Sequence, residues 1–359
     1  MSVVPVDTTH PDAAVIANAA ARLQAGELVA FPTETVYGLG ANALDPAAVQ
    51  RIYAAKGRPA WNPVIAHVPS IDAARALARE WPASAQRLAE AFWPGPLTLV
   101  VPKAAHVPDV ATAGLDAVAV RVPAHPVALA LLRAAAVPIA APSANRFTQI
   151  SPTTAWHVVQ SLGDRVPLVL DGGPCSVGIE STVVDCTGPE VIILRPGMLG
   201  RESLEHVLAP LGIPVRHAVR RIAHDLTALP DGLDAIPRSP GMADRHYAPR
   251  ADVWLFDTAQ RAEIVDALER WHAERPRDGQ EAVPVYALVR TGPPDSGDRP
   301  LPGHVRQRLM PDDPAAYART LYGALHDADQ ANAGLILIEA PPDAPGWDGV
   351  RDRLTRAAR

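Results

Sequence analysis

Between residues 11 and 195, short apolar runs alternate with stretches of helical periodicity, and this alternation constrains the fold more than any other feature of the chain. Residues 11–25 carry Ala, Ile and Leu at helical spacing, and Gly26 ends the helix. A short strand is expected at 27–31. Asp45 followed by Pro46 is an N-cap with proline at the first helical position, which predicts a helix through Ala55. Further strands are expected at 64–68, 97–101, 117–122, 138–141, 167–171, 181–186 and 190–195, with helices at 71–79, 83–92, 126–136 and after Thr154. Strands that are apolar throughout suit a sheet covered on both faces, so residues 1–213 read as one α/β domain with a mixed sheet.

The alternation then lapses. Residues 214–249 hold five basic and four acidic side chains, several prolines and no sustained period, and are expected to be a linker. From 250 to 359 it resumes, with strands at 253–256, 283–289, 304–309 and 335–339 and helices at 259–273, 314–328 and from about 347. This is a second, smaller, Rossmann-like α/β domain.

Composition removes whole classes of function. No apolar run approaches the ~20 residues of a membrane-spanning helix, and MSVVPVDTTH lacks the pattern of a secretory signal, so a soluble, cytoplasmic protein is expected. Two cysteines, Cys175 and Cys186, make neither a disulfide framework nor a zinc ribbon. A net charge of −6 argues against a broad nucleic-acid-binding face but leaves room for a local anion pocket. There is no P-loop, no HExxH, no GxSxG, and Gly38-Leu39-Gly40 lacks the third glycine of a dinucleotide fingerprint.

What remains is a series of polar strand ends. FPTETVYGLG (31–40) offers the hydroxyls of Thr33, Thr35 and Tyr37 and the carboxylate of Glu34, either to a ligand or to its own turn. KGRPAWNP (56–63) holds Lys56 and Arg58, which on an extended backbone point to one side. They either grip polyphosphate or cap the preceding helix. Of 33 basic residues only Lys56 and Lys103 are lysine, which favours a specific use for Lys56. APSAN (141–145) presents Ser143 and Asn145, and Ser151-Pro152-Thr153 opens a helix whose amides suit an anion. Arg121, inside AVAVRVP, meets an internal acid or projects as a carboxylate clamp; His67, inside VIAHVP, is a core histidine or a ligand. GIEST (178–182) and Arg195 in LRPG finish two more strands, and SPGMADRHYAP (239–249) places His246 and Tyr247 in the linker as a lid or an aromatic staple.

Together these segments closely resemble the threonylcarbamoyl-AMP synthase family, in its long form with a YrdC-like catalytic domain, a linker and a second domain. FPTETVYGLGANAL, KGRPAWNPVIAHV, FWPGPLTLVV, VAVRVPAHP, PIAAPSAN, SPT, GIEST, ILRPG and SPGMADRHYAP carry the resemblance in order over essentially the whole chain. It implies a nucleotidyltransferase that condenses L-threonine, bicarbonate or CO₂, and ATP into threonylcarbamoyl-AMP with release of pyrophosphate. That product would feed the modification of tRNA next to the anticodon through a downstream transfer machinery, with a weak contact to double-stranded RNA or tRNA. Matched one at a time, Lys56, Arg58, Ser143 and Asn145 would bind the triphosphate and carry the chemistry. Asn62, Ser151, Arg195 and Tyr247 match ATP-contacting positions, and Thr35, His67, Arg121 and Ser181 match threonine-holding ones. Mg²⁺ would come held mainly by phosphates, since no carboxylate cluster marks its ligands. RFTQI (146–150) departs from the small residues and glycine that relatives often carry there.

Two other functions compete. A YrdC-like RNA-binding module is opposed by the net charge and by the lack of interleaved basic and aromatic residues. A carbamoyl-transferring maturation enzyme that makes a different carbamoyl adenylate would need zinc modules and an acylphosphatase domain, for which the chain has neither the cysteines nor the length.

Overall fold

The computed structural model describes residues 1–218, 247–273, 283–290 and 300–358. Contacts divide the chain into two units, Met1–Phe147 with Ser151–Asp244, and Thr148–Ile150 with Arg245–Arg359.

The first unit is a mixed α/β structure. In chain order its elements include β1 (Ser2–Pro5), α1 (Ala13–Gln24), β2 (Val29–Phe31), β3 (Gly38–Asn42), α2 (Pro46–Lys56), β4 (Ile65–His67), α3 (Ile71–Arg75), α4 (Ala83–Phe92), β5 (Leu97–Pro102), α5 (Asp109–Thr112), β6 (Ala117–Arg121), α6 (Pro126–Ala135), β7 (Ile139–Ala140), α7 (Ala155–Leu162), β8 (Leu168–Asp171), β9 (Thr182–Asp185), β10 (Val191–Arg195), α8 (Arg201–Leu208) and β11 (Val215–His217). Among the described residues they give one eleven-stranded sheet, ordered β1-β8-β2-β3-β7-β4-β6-β5-β9-β10-β11. Parallel and antiparallel neighbours mix, as in β4 parallel to β6 and β5 antiparallel to it.

Most expected elements are present, and three differences have physical causes. Gly38–Asn42, read as part of a loop, is a strand antiparallel to β2 with Phe31 opposite Gly38. Glycine is a poor strand former, but a Cβ at Gly40 would lie 2.8 Å from the Phe31 ring and 2.9 Å from Ile139. The close packing of neighbouring strands therefore requires the glycine. Val215–His217, inside the stretch read as linker from 214, pairs in parallel with β10. Ser2–Pro5 pairs with β8 although three of its four residues are exposed, so it carries no alternating pattern.

The sheet buries its two faces unequally. Val29, Phe31, Ile139, Leu168 and Leu170 pack on one side against α1 and α6. Ala30, Leu39, Ala66, Leu99, Val120 and Val169 face the other way into the largest core, with α2 and α4. Along β4, β5, β6, β9 and β10 the face opposite this core holds, among the described residues, a small cluster of Ile65, Val100, Ala119, Val183 and Leu194. Two residues along each strand, by the period of the pleat, the same face presents His67, Thr98, Arg121 and Ser181. A sheet face that gives up apolar cover to polar side chains is where a site is expected.

The second unit contains β12 (Asp252–Phe256), α9 (Arg261–Ala273), β13 (Val285–Val289), β14 (Arg306–Leu309), α10 (Pro314–Gln330), β15 (Leu335–Glu339) and α11 (Asp348–Ala357). Its described strands form an all-parallel sheet ordered β12-β15-β13-β14, which is the expected Rossmann-like arrangement. No helix among the described residues is long and apolar enough to cross a membrane.

Candidate active site

Helix α2 delivers the first cation. Asp45 caps its N-terminus by accepting from the Ala47 amide at 2.9 Å, and Pro46 occupies the first turn. It ends at Gly57, left-handed at φ 62°, where Gly57 N donates to Ala54 O and Arg58 N to Tyr53 O. This double bond pattern satisfies the final carbonyls through the backbone, so neither Lys56 nor Arg58 is needed as a side-chain cap. It also corrects the expectation of an extended backbone between them: a left-handed glycine turns the chain instead.

Freed from the helix end, the Lys56 ammonium donates to the carbonyls of Ser143 (2.6 Å) and Asn145. Those carbonyls belong to the segment after β7, which also bridges Gly38 through Ser143. Lys56 is 3% exposed and makes no ion pair among the described residues. Burial, then the neighbouring Arg58, hold its pKa well below the usual lysine value, with Glu180 acting in the opposite sense. Arg58 is also buried; it donates to Asn62 Oδ1 at 2.6 Å and to the Pro63 carbonyl at 2.8 Å, and lies 6.0 Å from the Phe147 ring. Asn145 donates to the Arg146 carbonyl at 2.8 Å. Ser151 donates to Glu180 Oε1 at 2.5 Å. Thr154, not Ser151, is the N-cap of α7. Lys56, Arg58, Asn62, Ser143 and Asn145 thus form one cationic cradle, with Ser151 and Glu180 bonded to each other and Glu180 acting on Lys56.

The second cluster lies on the thinly covered sheet face. His67 and Arg121 are register partners on β4 and β6. Arg121 meets an internal acid: it donates to Glu34 Oε1 at 2.6 Å, to Thr35 Oγ1 at 2.9 Å and to the Gly95 carbonyl at 3.2 Å. The loop's other threonine serves its own turn, since Thr33 Oγ1 accepts from the Thr35 and Val36 amides. The Thr35 hydroxyl lies 2.8 Å from that of Thr33 and accepts from Arg121. His67 packs edge-on against Phe31, and its Nδ1 has no hydrogen-bond partner. Burial, and secondly Arg121, lower its pKa to about 3, so the imidazole is neutral. Ser181 shares a 2.8 Å hydrogen bond with Thr98 and accepts at its hydroxyl and carbonyl from Arg195, at 3.2 and 3.0 Å.

Tyr247 belongs to the second unit, where it lies buried with its ring centroid 6.0 Å from that of Tyr322 and 5.1 Å from the Arg353 guanidinium carbon. Within that unit Ala248 N donates to the Thr148 carbonyl at 2.9 Å. His246 and residues 239–245 of the expected lid lie outside the described residues. The sequence offers the Glu34 carboxylate to a ligand or to its own turn without naming Arg121 as its partner, and it gives no role to Glu180 or Thr98. The sequence signals for them are a glutamate amid hydroxyls in each of two strand-end loops and a threonine at the pleat position shared with Arg121. Both cysteines are buried, with burial raising the Cys186 thiol to about 12, which fits small core residues.

With this geometry in place, comparison with known proteins decides the family. Residues 21–197 match the Sua5/YciO/YrdC family model, described as telomere recombination, and residues 200–359 match that of the threonylcarbamoyl-AMP synthase C-terminal domain. Threonylcarbamoyl-AMP synthase of Pyrococcus abyssi is 40% identical over 95% of this chain and 93% of its own, and that of Bacillus subtilis is 39% identical over 96% and 92%. This chain belongs to the threonylcarbamoyl-AMP synthase family. The crystal structure of P. abyssi Sua5 complexed with L-threonine superposes with a TM-score of 0.84 at 38% identity, covering 100% of this chain and 98% of that one.

Proposed function

We propose that this chain is an L-threonylcarbamoyladenylate synthase: it joins L-threonine, bicarbonate or CO₂, and ATP into threonylcarbamoyl-AMP and releases pyrophosphate. The product would supply the threonylcarbamoyl group of a modified adenosine in tRNA. The observation that carries this reading is the buried Lys56 ammonium, held by two carbonyls beside a second buried cation and, among the described residues, without an ion pair. Such an arrangement is costly when empty and is relieved by a polyanion.

In this reading ATP enters as its Mg²⁺ complex. The ion would be held mainly by phosphate oxygens and water. Lys56 and Arg58 bind the triphosphate with Asn62, Ser143, Asn145 and Ser151, and Arg195 contacts ATP. Arg121 pairs with the threonine carboxylate, while Thr35, His67 and Ser181 line the remainder of the amino-acid subsite. A neutral His67 can accept a hydrogen bond from the threonine hydroxyl at Nδ1.

The chemistry needs no covalent enzyme intermediate. The threonine ammonium and bicarbonate give a carbamate, water and a proton. A carbamate oxygen then attacks the α-phosphorus, and the bond to the β-phosphate bridging oxygen breaks. Pyrophosphate leaves with its charge held by Lys56 and Arg58, so positioning and fixed charge carry the rate. The test is pyrophosphate release from ATP, Mg²⁺ and bicarbonate with and without threonine. Threonine-dependent release that is lost in Lys56→Ala and Arg121→Ala supports the reading. A folded protein that releases none, yet binds tRNA, refutes it in favour of an RNA-binding module.

A further inference from the structure

The amino-acid subsite as assigned so far lacks one charge. Arg121 offers a cation to an α-carboxylate, His67 is neutral, and Thr35 and Ser181 offer hydroxyls. An α-amino acid is a zwitterion, and its ammonium, once taken out of water, also needs an anion or a set of acceptors. None of those four residues is an anion.

Glu34 is the carboxylate bonded into this group. Its Oε1 accepts from Arg121 at 2.6 Å, its side chain is 7% exposed, and its neighbour in the chain is Thr35. Its Oε2 is buried and accepts no hydrogen bond among the described residues. A buried carboxylate oxygen without a donor is an unusual cost for a protein to carry, and an arriving ammonium brings three donors. The other nearby acid, Glu180, is already bonded to Ser151.

We propose that the Glu34 carboxylate is the ammonium-binding group of the amino-acid subsite. Glu34 and Arg121 form a buried pair of opposite charges, and the zwitterion docks against it head to tail, carboxylate to Arg121 and ammonium to Glu34. The arrangement selects α-amino acids over hydroxy acids and keto acids of the same size, because an analogue without the ammonium leaves Glu34 without its donor. This inference rests on the synthase reading.

The experiment pairs deletion of the ammonium with deletion of the carboxylate. Binding of L-threonine and of (R)-3-hydroxybutanoate, which is threonine without its amino group, is measured for the wild-type chain, Glu34→Gln and Glu34→Asp. Loss of a charge-assisted bond predicts that Glu34→Gln weakens threonine by about 10–100-fold. It leaves 3-hydroxybutanoate within about twofold, and Glu34→Asp recovers part of the loss. An equal loss for both ligands would reduce Glu34 to a structural partner of Arg121 and overturn the proposal, as would unchanged threonine affinity in Glu34→Gln. Should Glu34→Gln fail to fold, the wild-type chain still decides: similar affinity for the two ligands overturns the proposal, and a preference of at least about tenfold for threonine supports it. Wild-type protein that binds no threonine at all refutes the synthase reading and this inference with it. Threonine binding that ignores Glu34 refutes the inference alone.

Discussion

Replacing Arg121 by methionine tests whether the Arg121–Glu34 pair is as buried as its 4% and 7% side-chain exposures indicate. The substitution keeps much of the side chain's bulk but removes three donors, to Glu34, Thr35 and the Gly95 carbonyl. What remains is a buried carboxylate with one oxygen already unpartnered and the other newly so. Breaking a buried pair in this way costs about 3–5 kcal/mol, because the surviving charge is uncompensated. For a unit of some 200 residues that is roughly 6–20 °C in Tm. Removing both charges is a different perturbation: in Glu34→Gln with Arg121→Met the isolated carboxylate is gone, and at least half of the lost stability returns. Scanning calorimetry of the wild type, both single variants and the double variant reads this directly. A double variant no more stable than Arg121→Met would refute the reasoning, since the loss would then come from packing and not from charge. Arg121→Met and the double variant lose threonine binding whatever their stability, and Glu34→Gln weakens it.

Lys56→Arg, conservative in charge, abolishes threonine-dependent pyrophosphate release to below about a hundredth of wild type, because the planar fork does not fit the space between the Ser143 and Asn145 carbonyls that holds an ammonium. Threonine affinity is unchanged, and steady-state kinetics with calorimetric binding separates the two effects. His67 carries a pH signature: its pKa falls from 6.5 unfolded to about 3 folded, so its contribution to stability is complete above pH 6.5 and is lost as pH drops from there towards 3. The slope of about 1.4 kcal/mol per pH unit gives a loss of about 2 kcal/mol between pH 6.5 and 5. His67→Gln removes that share of the acid sensitivity in a comparison of Tm at the two pH values; an unchanged slope would show that His67 is solvated. Gly40→Ala drives a methyl into the Phe31 ring and Ile139 and costs about 1–3 kcal/mol by denaturation, whereas a neutral outcome would mean that the strands can spread.

Local chemistry makes much of the fold legible in the sequence. The Asp45-Pro46 start of α2 and its Gly57 stop are written within a dozen residues, and each is explained by backbone groups that need a partner or a left-handed turn. Strands whose residues are buried on both sides, such as β8 and β9, announce themselves as apolar runs. β3 did not, because GLGAN owes its extended form to the contact of neighbouring strands. β1 did not either, because it lies at the sheet edge with most side chains in solvent.

The site follows the same division. Alternation along each strand places His67 and Arg121 on one face, and their motifs mark them as polar intrusions into apolar runs. The partner of Arg121 is another matter: Glu34 lies 87 residues away, and only the fold brings the two within 2.6 Å. The sequence posed an internal acid and a ligand clamp as alternatives, and the structure shows the acid without excluding the clamp's chemistry, since an ion pair can dock a zwitterion. Lys56 shows the reverse case. Its rarity in an arginine-rich chain singled it out, but its grip on the Ser143 and Asn145 carbonyls, 87 and 89 residues on, is tertiary information.

The central claim is that one chain carries both grips, the Lys56 cradle for the triphosphate and the Arg121 face for the amino acid, and joins their ligands through a carbamate. Mass spectrometry of a reaction with ATP, Mg²⁺, L-threonine and ¹³C-bicarbonate tests it most directly. The account predicts a threonylcarbamoyl adenylate bearing the ¹³C label at its carbamoyl carbon, formed in step with pyrophosphate and absent when threonine is omitted. Pyrophosphate without labelled adenylate, or an unlabelled aminoacyl-AMP in its place, would contradict it.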